Sequence, residues 1–331
     1  MALTVAGCVT AEGDGDPSGP GGKGDIWGTD DRVERYEIQT PALQEAASRS
    51  AAIVELSSLT HDAVRDTYSL GLRSLRETQS LCEGERFADQ PASAMCSATL
   101  IGDDLMVSAG HCFDAVPCEQ IAIVFDFAYQ QPELLPDGVA REIPAANVYR
   151  CVETLAAELH YDDVDRSRDV DYAVFRLERK VTDRAPAKVN WSAPIVADQP
   201  AYVIGHPMGI PQKLATGKVT DLSNTAFVIH DADVFGGNSG GGLFDKDGML
   251  IGIHVNSSGQ RYIPGPTGTC TVAAVCGENA DCPNPPHAYD PRAMQLRLPP
   301  AVRAALGLDK PPGPTPSDQR SLGADGHLSP R

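Results

Sequence analysis

Residues 96–114 read CSATLIGDDLMVSAGHCFD, which is two apolar runs separated by an Asp-Asp pair. Short apolar runs on either side of a compact polar turn predict a β-hairpin. The second run ends just before His111, so this histidine is expected at the rim of a sheet, where it stays accessible. Cys96 and Cys112 bracket the hairpin, and a disulfide between them would stabilise a loop of this length by about 3 kcal/mol.

The chain beyond residue 90 continues in the same texture, with short apolar runs such as IAIVFDF, YAVFRL, AYVIG and MLIGIHV broken by Gly, Pro, Asn and Asp. Many short strands without helical patterns between them predict an antiparallel sandwich or barrel. Residues 41–58 instead carry helix formers with apolar residues at roughly helical spacing, after a candidate cap at Thr40. Residues 298–308, LPPAVRAALGL, predict a short C-terminal helix.

Composition limits the class of protein. A chain of 331 residues can bury a sizeable core. Its formal net charge of −18 argues against binding of nucleic acid, which depends on clusters of Lys and Arg. No run of about 18 apolar residues occurs, so no membrane-spanning helix is expected.

The nine cysteines predict disulfides formed in an oxidising compartment, because no C-x2-C pair typical of a zinc module occurs. Without Cys8, eight cysteines remain, which permits four bridges. Cys270, Cys276 and Cys282 recur every six residues with His287 nearby, so a metal loop is an alternative for this region. No metal or other cofactor is otherwise expected.

The acidic stretch HYDDVDRSRDVD, residues 160–171, lacks the glycine and the closing glutamate of an EF-hand loop. A solvated loop leading into a strand is therefore the preferred interpretation over a calcium site.

The N-terminal residues suggest export. The residues up to Cys8, Val-Ala-Gly-Cys, resemble the lipobox of bacterial lipoproteins, in which the cysteine becomes the acylated N-terminus. We therefore predict a lipoprotein-like leader and flexible tether over residues 1–35, and secretion without an anchor is the alternative. Residues 36–80 are predicted as a helical, pro-segment-like stretch, and residues 309–331 as a disordered tail.

Five of the seven residues 236–242 are glycine, and they surround Ser239. Glycine is costly to order, so such a loop is typical of close backbone approach or of torsion angles that a side chain forbids. One interpretation is a mobile hairpin. The other is a turn that exposes Ser239 and directs neighbouring N–H groups at a substrate, with His111 as a partner for the serine.

The motifs C-S-A-T-L-I, S-A-G-H-C and G-N-S-G-G together resemble the chymotrypsin/trypsin-like serine protease superfamily. The resemblance is closest to the bacterial V8-like glutamyl endopeptidases, in which Asn precedes the serine. It covers residues 81–308 and implies an all-β domain of two antiparallel six-stranded β-barrels. It also implies that Cys96 and Cys112 pair.

The resemblance implies a triad of His111 as base, Asp171 as the carboxylate that orients it, and Ser239 as nucleophile. Asp169 is the nearby alternative to Asp171, but the apolar strand begins after Asp171. The chain order His, Asp, Ser is that of this family. A serine hydroxyl is a poor nucleophile until a base takes its proton, and the N–H groups of Gly237 and Ser239 would form the oxyanion hole.

The specificity pocket gives two conflicting signals. Glutamyl endopeptidases carry a G-I-H sequence in the strand after the nucleophile loop, which corresponds here to His254 and favours an acidic P1 residue. They also supply a hydroxyl where this chain has Val234. Asp233 falls where trypsin places its pocket carboxylate, which would favour Lys or Arg, unless it pairs with backbone groups or with His254.

The resulting hypothesis is an exported serine endopeptidase with polypeptide substrates and a preference for acidic P1 residues. One alternative is a protease-like module that binds peptides without turnover, which an intact triad disfavours. A chaperone-protease of the HtrA type is also not expected, because no residues after 308 remain for a PDZ domain.

Overall fold

The computed structural model describes residues 24–71, 73–114, 116–132, 142–161, 168–191, 193–224, 226–256, 262–276, 292–294 and 303–304. The predicted lipobox at Cys8, the tail over 309–331 and nearly all of the predicted C-terminal helix lie outside these residues.

The described part of the chain is dominated by β-strands. In chain order the first are β1 (Gly24–Trp27), β2 (Val33–Glu34), β3 (Ser50–Glu55), β4 (Leu59–Asp62), β5 (Thr67–Leu70), β6 (Arg73–Ser74), β7 (Pro91–Ala92), β8 (Cys96–Leu100), β9 (Leu105–Ser108), β10 (Ile121–Phe125), β11 (Ile143–Pro144), β12 (Val148–His160) and β13 (Val170–Leu177). The later ones are β14 (Pro200–Gly205), β15 (Lys213–Asp221), β16 (Phe227–His230), β17 (Val234–Phe235), β18 (Gly242–Phe244), β19 (Leu250–Asn256), β20 (Tyr262–Pro264), β21 (Thr271–Ala273), β22 (Val275–Cys276) and β23 (Arg292–Met294).

Helices are few and short. In the described ranges the α-helices are α1 (Pro41–Ser48), α2 (Leu75–Gln79) and α3 (His111–Asp114), and residues 303–304 are also helical. Single 3-10 turns span Arg35–Glu37, Leu56–Ser58, Cys118–Gln120, Ala145–Asn147 and Pro207–Gly209. None of the helices in the described ranges is both long enough and apolar enough to cross a membrane.

Six antiparallel strands close into a barrel in the order β10-β12-β13-β9-β8-β3. The predicted hairpin is present as β8 and β9, which pair at Thr99 and Val107. Every residue of β8, β9 and β10 is buried, which explains why none of them carries a charged residue and why β10 is a continuous apolar run. The predicted all-β fold with a six-stranded barrel is confirmed for this part of the chain.

The predicted helical segment over residues 36–80 is wrong for its central part. The helix begins at Pro41 as expected, but it ends at Ser48, and β3 then runs between β10 and β8 as a strand of the barrel. In β3, Ala51, Ala52, Ile53 and Val54 are all buried. A strand covered on both faces has no alternation of polar and apolar residues, so its alanines resemble a helix in the sequence.

Six strands from the second half of the chain and the N-terminal β2 form a seven-stranded sheet in the order β14-β18-β19-β23-β16-β15-β2, with an additional pairing between β14 and β15. Its buried side chains include Val203, Val219, Val228 and Leu243, which form a separate apolar cluster. The smaller sheets are β11-β5-β4, β20-β21 and β6-β7.

Residues 24–35 are not a flexible tether, which corrects the predicted boundary at residue 35. Strand β1 is the central strand of a three-stranded sheet, antiparallel to β17 and parallel to β22. Strand β2 extends the seven-stranded sheet by pairing with β15. The partners of both strands lie more than 170 residues away, so local composition could not indicate these pairings.

Three disulfides join described cysteines, and they are Cys82–Cys270, Cys96–Cys112 and Cys118–Cys151. The Cys96–Cys112 bridge is the one implied by the sequence resemblance. Cys276 is also disulfide-bonded. The alternative of a metal loop is therefore wrong for Cys270 and Cys276, because an oxidised sulfur is not a thiolate ligand. Cys282 and His287 lie outside the described residues.

Candidate active site

His111 and Asp171 form a hydrogen-bonded pair at the rim of the barrel. The His111 ring nitrogen Nδ1 lies 2.7 Å from Asp171 Oδ2, and the His111 backbone N–H donates to Oδ1 at 3.1 Å. The side chain of Asp171 is 0% exposed, whereas that of His111 is 30% exposed. A buried carboxylate thus fixes an imidazole whose other edge reaches the surface.

Strand pairing explains why these two residues meet. Strands β9 and β13 pair at Ser108 and Ala173, so the residues that follow β9 lie beside the beginning of β13. Gly110 permits this approach, since a Cβ atom there would lie 2.4 Å from the carbonyl oxygen of Glu158. Asp169, the alternative carboxylate, is also buried, but the contact to the His111 ring comes from Asp171.

The glycine-rich loop holds Ser239 near the Cys96–Cys112 disulfide. The carbonyl oxygen of Ser239 accepts the backbone N–H of Ser97 at 2.8 Å and lies 3.9 Å from Cys112 Sγ. Cys112 directly follows His111, and the His111 ring lies within 4.8 Å of both disulfide sulfurs. The loop therefore brings Ser239, which is partly exposed, next to the segment that carries His111.

Gly237 meets a strict steric requirement in this loop. Its φ is +92°, and a Cβ atom there would lie 2.4 Å from the carbonyl oxygen of His206. Its own carbonyl oxygen accepts the Ser97 hydroxyl at 2.7 Å. The interpretation of this loop as a mobile hairpin is therefore not supported, because side-chain and backbone bonds fix it on both sides.

The backbone N–H groups of the loop fall into two sets. Those of Asn238, Gly240 and Gly241 donate to carbonyl oxygens of Phe235, His254 and Asn238, respectively. Within the described ranges, the N–H groups of Gly237 and Ser239 donate to no protein acceptor. These two donors are the pair that the sequence resemblance assigns to the oxyanion hole.

His254 lies in β19 directly behind the loop. Its backbone is bonded to Gly240 and Gly241, and its ring Nδ1 lies 3.3 Å from Nε2 of His230. Both rings are buried. Burial lowers the pKa of His230 to about 3 and holds the pKa of His254 well below its usual range, with a further lowering from the charges of His230 and His111. Sequence reasoning missed His230.

Asp233 faces the N-terminal segment. Its carboxylate accepts the backbone N–H of Trp27 at 2.8 Å and that of Asp31 at 3.0 Å. Burial raises the pKa of Asp233 to about 7, although both N–H groups act in the opposite direction. Its oxygens are thus engaged by backbone groups. Such pairing was the alternative to a pocket carboxylate that the sequence left open. Val234 is fully buried in β17.

Tyr161 is a further residue that sequence reasoning missed. Its hydroxyl donates to Oδ2 of Asp171 at 2.5 Å. Tyr161 follows β12 directly, and the pairing of Leu159 with Asp171 across β12 and β13 brings it within reach. The strand register brings the two side chains together, and no signal in the sequence marks it.

Residues 96–253 match the family model described as a trypsin-like peptidase domain. The chloroplastic Protease Do-like 1 of Arabidopsis thaliana is 33% identical over 114 residues, which is 30% of this chain and 26% of that protein. A probable serine protease of Lysobacter enzymogenes is 30% identical over 86 residues, which is 26% of this chain and 13% of that protein. The chain thus spans only a minor part of the length of these curated relatives.

Among solved structures, the crystal structure of the serine endoprotease from Yersinia pestis matches with a TM-score of 0.44 and 15% identity, covering 82% of this chain and 69% of that one. Residues 96–253 are thus similar to trypsin-like peptidase domains, and the chain shares similarity over part of its length with the two curated proteases.

Proposed function

We propose that this protein is a serine endopeptidase that cleaves polypeptides through an acyl-enzyme formed on Ser239. The observation that carries the proposal is the 2.7 Å contact between His111 and the buried Asp171, close to the loop that holds Ser239. A buried carboxylate that orients a partly exposed imidazole is the arrangement needed to activate a serine hydroxyl.

In this mechanism Nδ1–H of His111 donates to Asp171, so Nε2 carries the lone pair that accepts the Ser239 hydroxyl proton. The serine oxygen bonds to the carbonyl carbon of the substrate. His111 then gives the proton to the leaving amine as the C–N bond breaks. Water repeats the sequence, which releases the carboxylic acid and restores the serine. No cofactor takes part.

The N–H groups of Gly237 and Ser239 are proposed to stabilise the oxyanion. Neither group has an acceptor among the described residues, which supports this role, since the N–H groups of Asn238, Gly240 and Gly241 all donate to carbonyl oxygens. Preorganised donors of this kind contribute roughly 3 kcal/mol each in the transition state.

We also propose that six strands of the second sheet form a second barrel. The pairing of β14 with β15 supports this, because it links the circuit β14-β18-β19-β23-β16-β15. His111 and Asp171 then come from one barrel and Ser239 from the loop that enters the other.

The proposed preference is for an acidic P1 residue, as in the V8-like branch. His254 supports it, because Nδ1 is engaged by His230 and Nε2 is the ring atom left for a ligand. A carboxylate leaving water needs such a donor or cation. The alternative preference for Lys or Arg is less well supported, since Asp233 is bonded to Trp27 and Asp31.

Export is proposed from the disulfides, which persist in oxidising compartments. A lipid anchor at Cys8 remains part of the proposal. Phase partition in detergent tests it, because Cys8→Ser should move the natively produced protein from the detergent phase to the aqueous phase.

The function is tested by reaction with a fluorophosphonate followed by peptide mapping. We expect the probe on Ser239 and a labelling rate at least about 10³-fold lower in His111→Ala. The control is His61→Ala, which removes a histidine from the exposed strand β4 and should label like the wild type. An unlabelled wild type would favour the module that binds peptides without turnover.

A further inference from the structure

Tyr161 extends the hydrogen-bonded chain that begins at His111. Leu159 pairs with Asp171 across β12 and β13, and Tyr161 stands two residues further along the same strand direction. Residues two apart share a face of a β-ribbon, and a diagonal neighbour lies within reach of an aromatic side chain. The Tyr161 hydroxyl accordingly lies 2.5 Å from Oδ2 of Asp171.

The oxygen that Tyr161 contacts is the one that holds the imidazole. Oδ1 of Asp171 accepts the backbone N–H of His111, whereas Oδ2 accepts both the ring Nδ1–H and the Tyr161 hydroxyl. Rotation of a carboxylate about its terminal bond has only a weak intrinsic preference, so its partners set its orientation. A carboxylate that is 0% exposed also needs donors in place of water.

We propose that Tyr161 is a positioning residue for the catalytic pair, which it serves by fixing the Asp171 carboxylate plane toward His111. This inference rests on the proposed function. Tyr161 does not act on substrate. It acts through Asp171, so its loss should lower the rate of the chemical step and leave binding of the substrate nearly unchanged.

The same hairpin offers a matched control. Tyr172 follows Asp171 directly, but its hydroxyl donates to Oε2 of Glu158 at 3.1 Å. Burial, together with Glu158, raises the pKa of Tyr172 to about 12, so this phenol stays protonated under assay conditions. Tyr172→Phe therefore removes one hydroxyl from the hairpin without removing a donor to Asp171.

The experiment compares kcat and KM of the wild type, Tyr161→Phe and Tyr172→Phe on one peptide substrate, with active sites counted by phosphonate titration. We expect kcat to fall about 10-fold in Tyr161→Phe with KM within about twofold, and no comparable change in Tyr172→Phe. A chain with 3-fluorotyrosine at position 161 keeps the donor and should keep the wild-type kcat.

A spectroscopic arm does not depend on turnover. In a Ser239→Ala background, the Nδ1–H proton resonance of His111 should move in Tyr161→Phe and stay in place in Tyr172→Phe, because only the first changes the acceptor oxygen.

An unmoved resonance with an unchanged kcat would overturn the proposal. So would a change in KM alone, or equal losses in both variants. A wild type that neither cleaves peptides nor reacts with the phosphonate would refute the proposed function, while the resonance would still decide the role of Tyr161.

Discussion

The carboxylate of Asp233 accepts the backbone N–H of Trp27, a residue 206 positions earlier in the chain. Asp31 donates to the second oxygen, and β1 pairs with β17 immediately after Asp233. Residues 24–31 are thus fixed to the segment that leads into the loop holding Ser239. Any change that weakens this contact is expected to act on the loop as well as on the stability of the fold.

The Asp233 contact predicts a pH-dependent stability. Burial raises the pKa of Asp233 to about 7 from 3.8. Between about pH 4 and pH 7 the folded state therefore holds a proton that the unfolded state has already released. The wild type should therefore lose stability relative to Asp233→Asn as the pH rises through this window. In thermal unfolding, the Tm of the wild type minus the Tm of Asp233→Asn should fall by several degrees as the pH rises from about 4 to 7.

Asp247→Asn is the control for this measurement, because Asp247 lies in an exposed turn and pairs only with Lys246 in the described structure. A Tm difference between wild type and Asp233→Asn that is constant from pH 4 to pH 8 would contradict the prediction.

The place of residues 50–55 in the barrel gives a second prediction. Val54→Ala should lower the free energy of unfolding by about 2 kcal/mol, since Val54 is 0% exposed in β3. Val64→Ala, at a position that is 95% exposed, removes the same two methyl groups from the surface and should change it by less than about 0.5 kcal/mol. Denaturant unfolding measures both. Equal effects would indicate that this segment is separable from the barrel.

The sequence predicted local features and missed distant ones. The hairpin that carries Cys96 and His111 was predictable because its strands are neighbours joined by a polar turn. Strand β3 was not, because burial on both faces removed the alternation that marks a strand. The contact between Asp171 and His111 was implied by the sequence motif, whereas Tyr161 and His230 reach the site through strand register and packing.

The N-terminal boundary failed for a related reason. Residues 24–35 follow a stretch rich in Gly, Asp and Ser, and composition alone favours a flexible tether there. Their order comes from β17, β22 and β15, which lie at the other end of the chain. A single sequence carries no sign of pairings at that separation.

A third prediction separates stability from catalysis at the disulfides. Replacing Cys96 and Cys112 by serine should cost about 3 kcal/mol by loop entropy and should also lower kcat of the folded protein, because the bridge adjoins His111 and the Ser239 loop. Unfolding curves and active-site-normalised kinetics measure the two effects.

The control is the double replacement at Cys118 and Cys151. Cys151 pairs with Leu177, at the end of β13 away from Asp171 and roughly 20 Å along the strand. A similar loss of stability is expected there, with kcat per active site unchanged. Loss of kcat in both double variants alike would refute a specific role of the Cys96–Cys112 bridge.

The last prediction concerns the P1 residue and follows from the two buried imidazoles. Burial keeps His254 and His230 neutral near pH 7, so a Glu side chain that docks against His254 meets a group that gains a proton when the carboxylate arrives. Binding of a Glu-P1 peptide should then take up protons, and its KM should rise as the pH increases from 6 to 8, while KM for the matched Gln-P1 peptide stays nearly constant.

His254→Ala should reduce the Glu-over-Gln ratio of kcat/KM by about 10- to 100-fold, the range expected for one hydrogen bond to a charge. His160→Ala, at the exposed end of β12, should leave the ratio unchanged. Dominant cleavage after Lys or Arg in a peptide library, abolished by Asp233→Asn, would instead assign the pocket to Asp233.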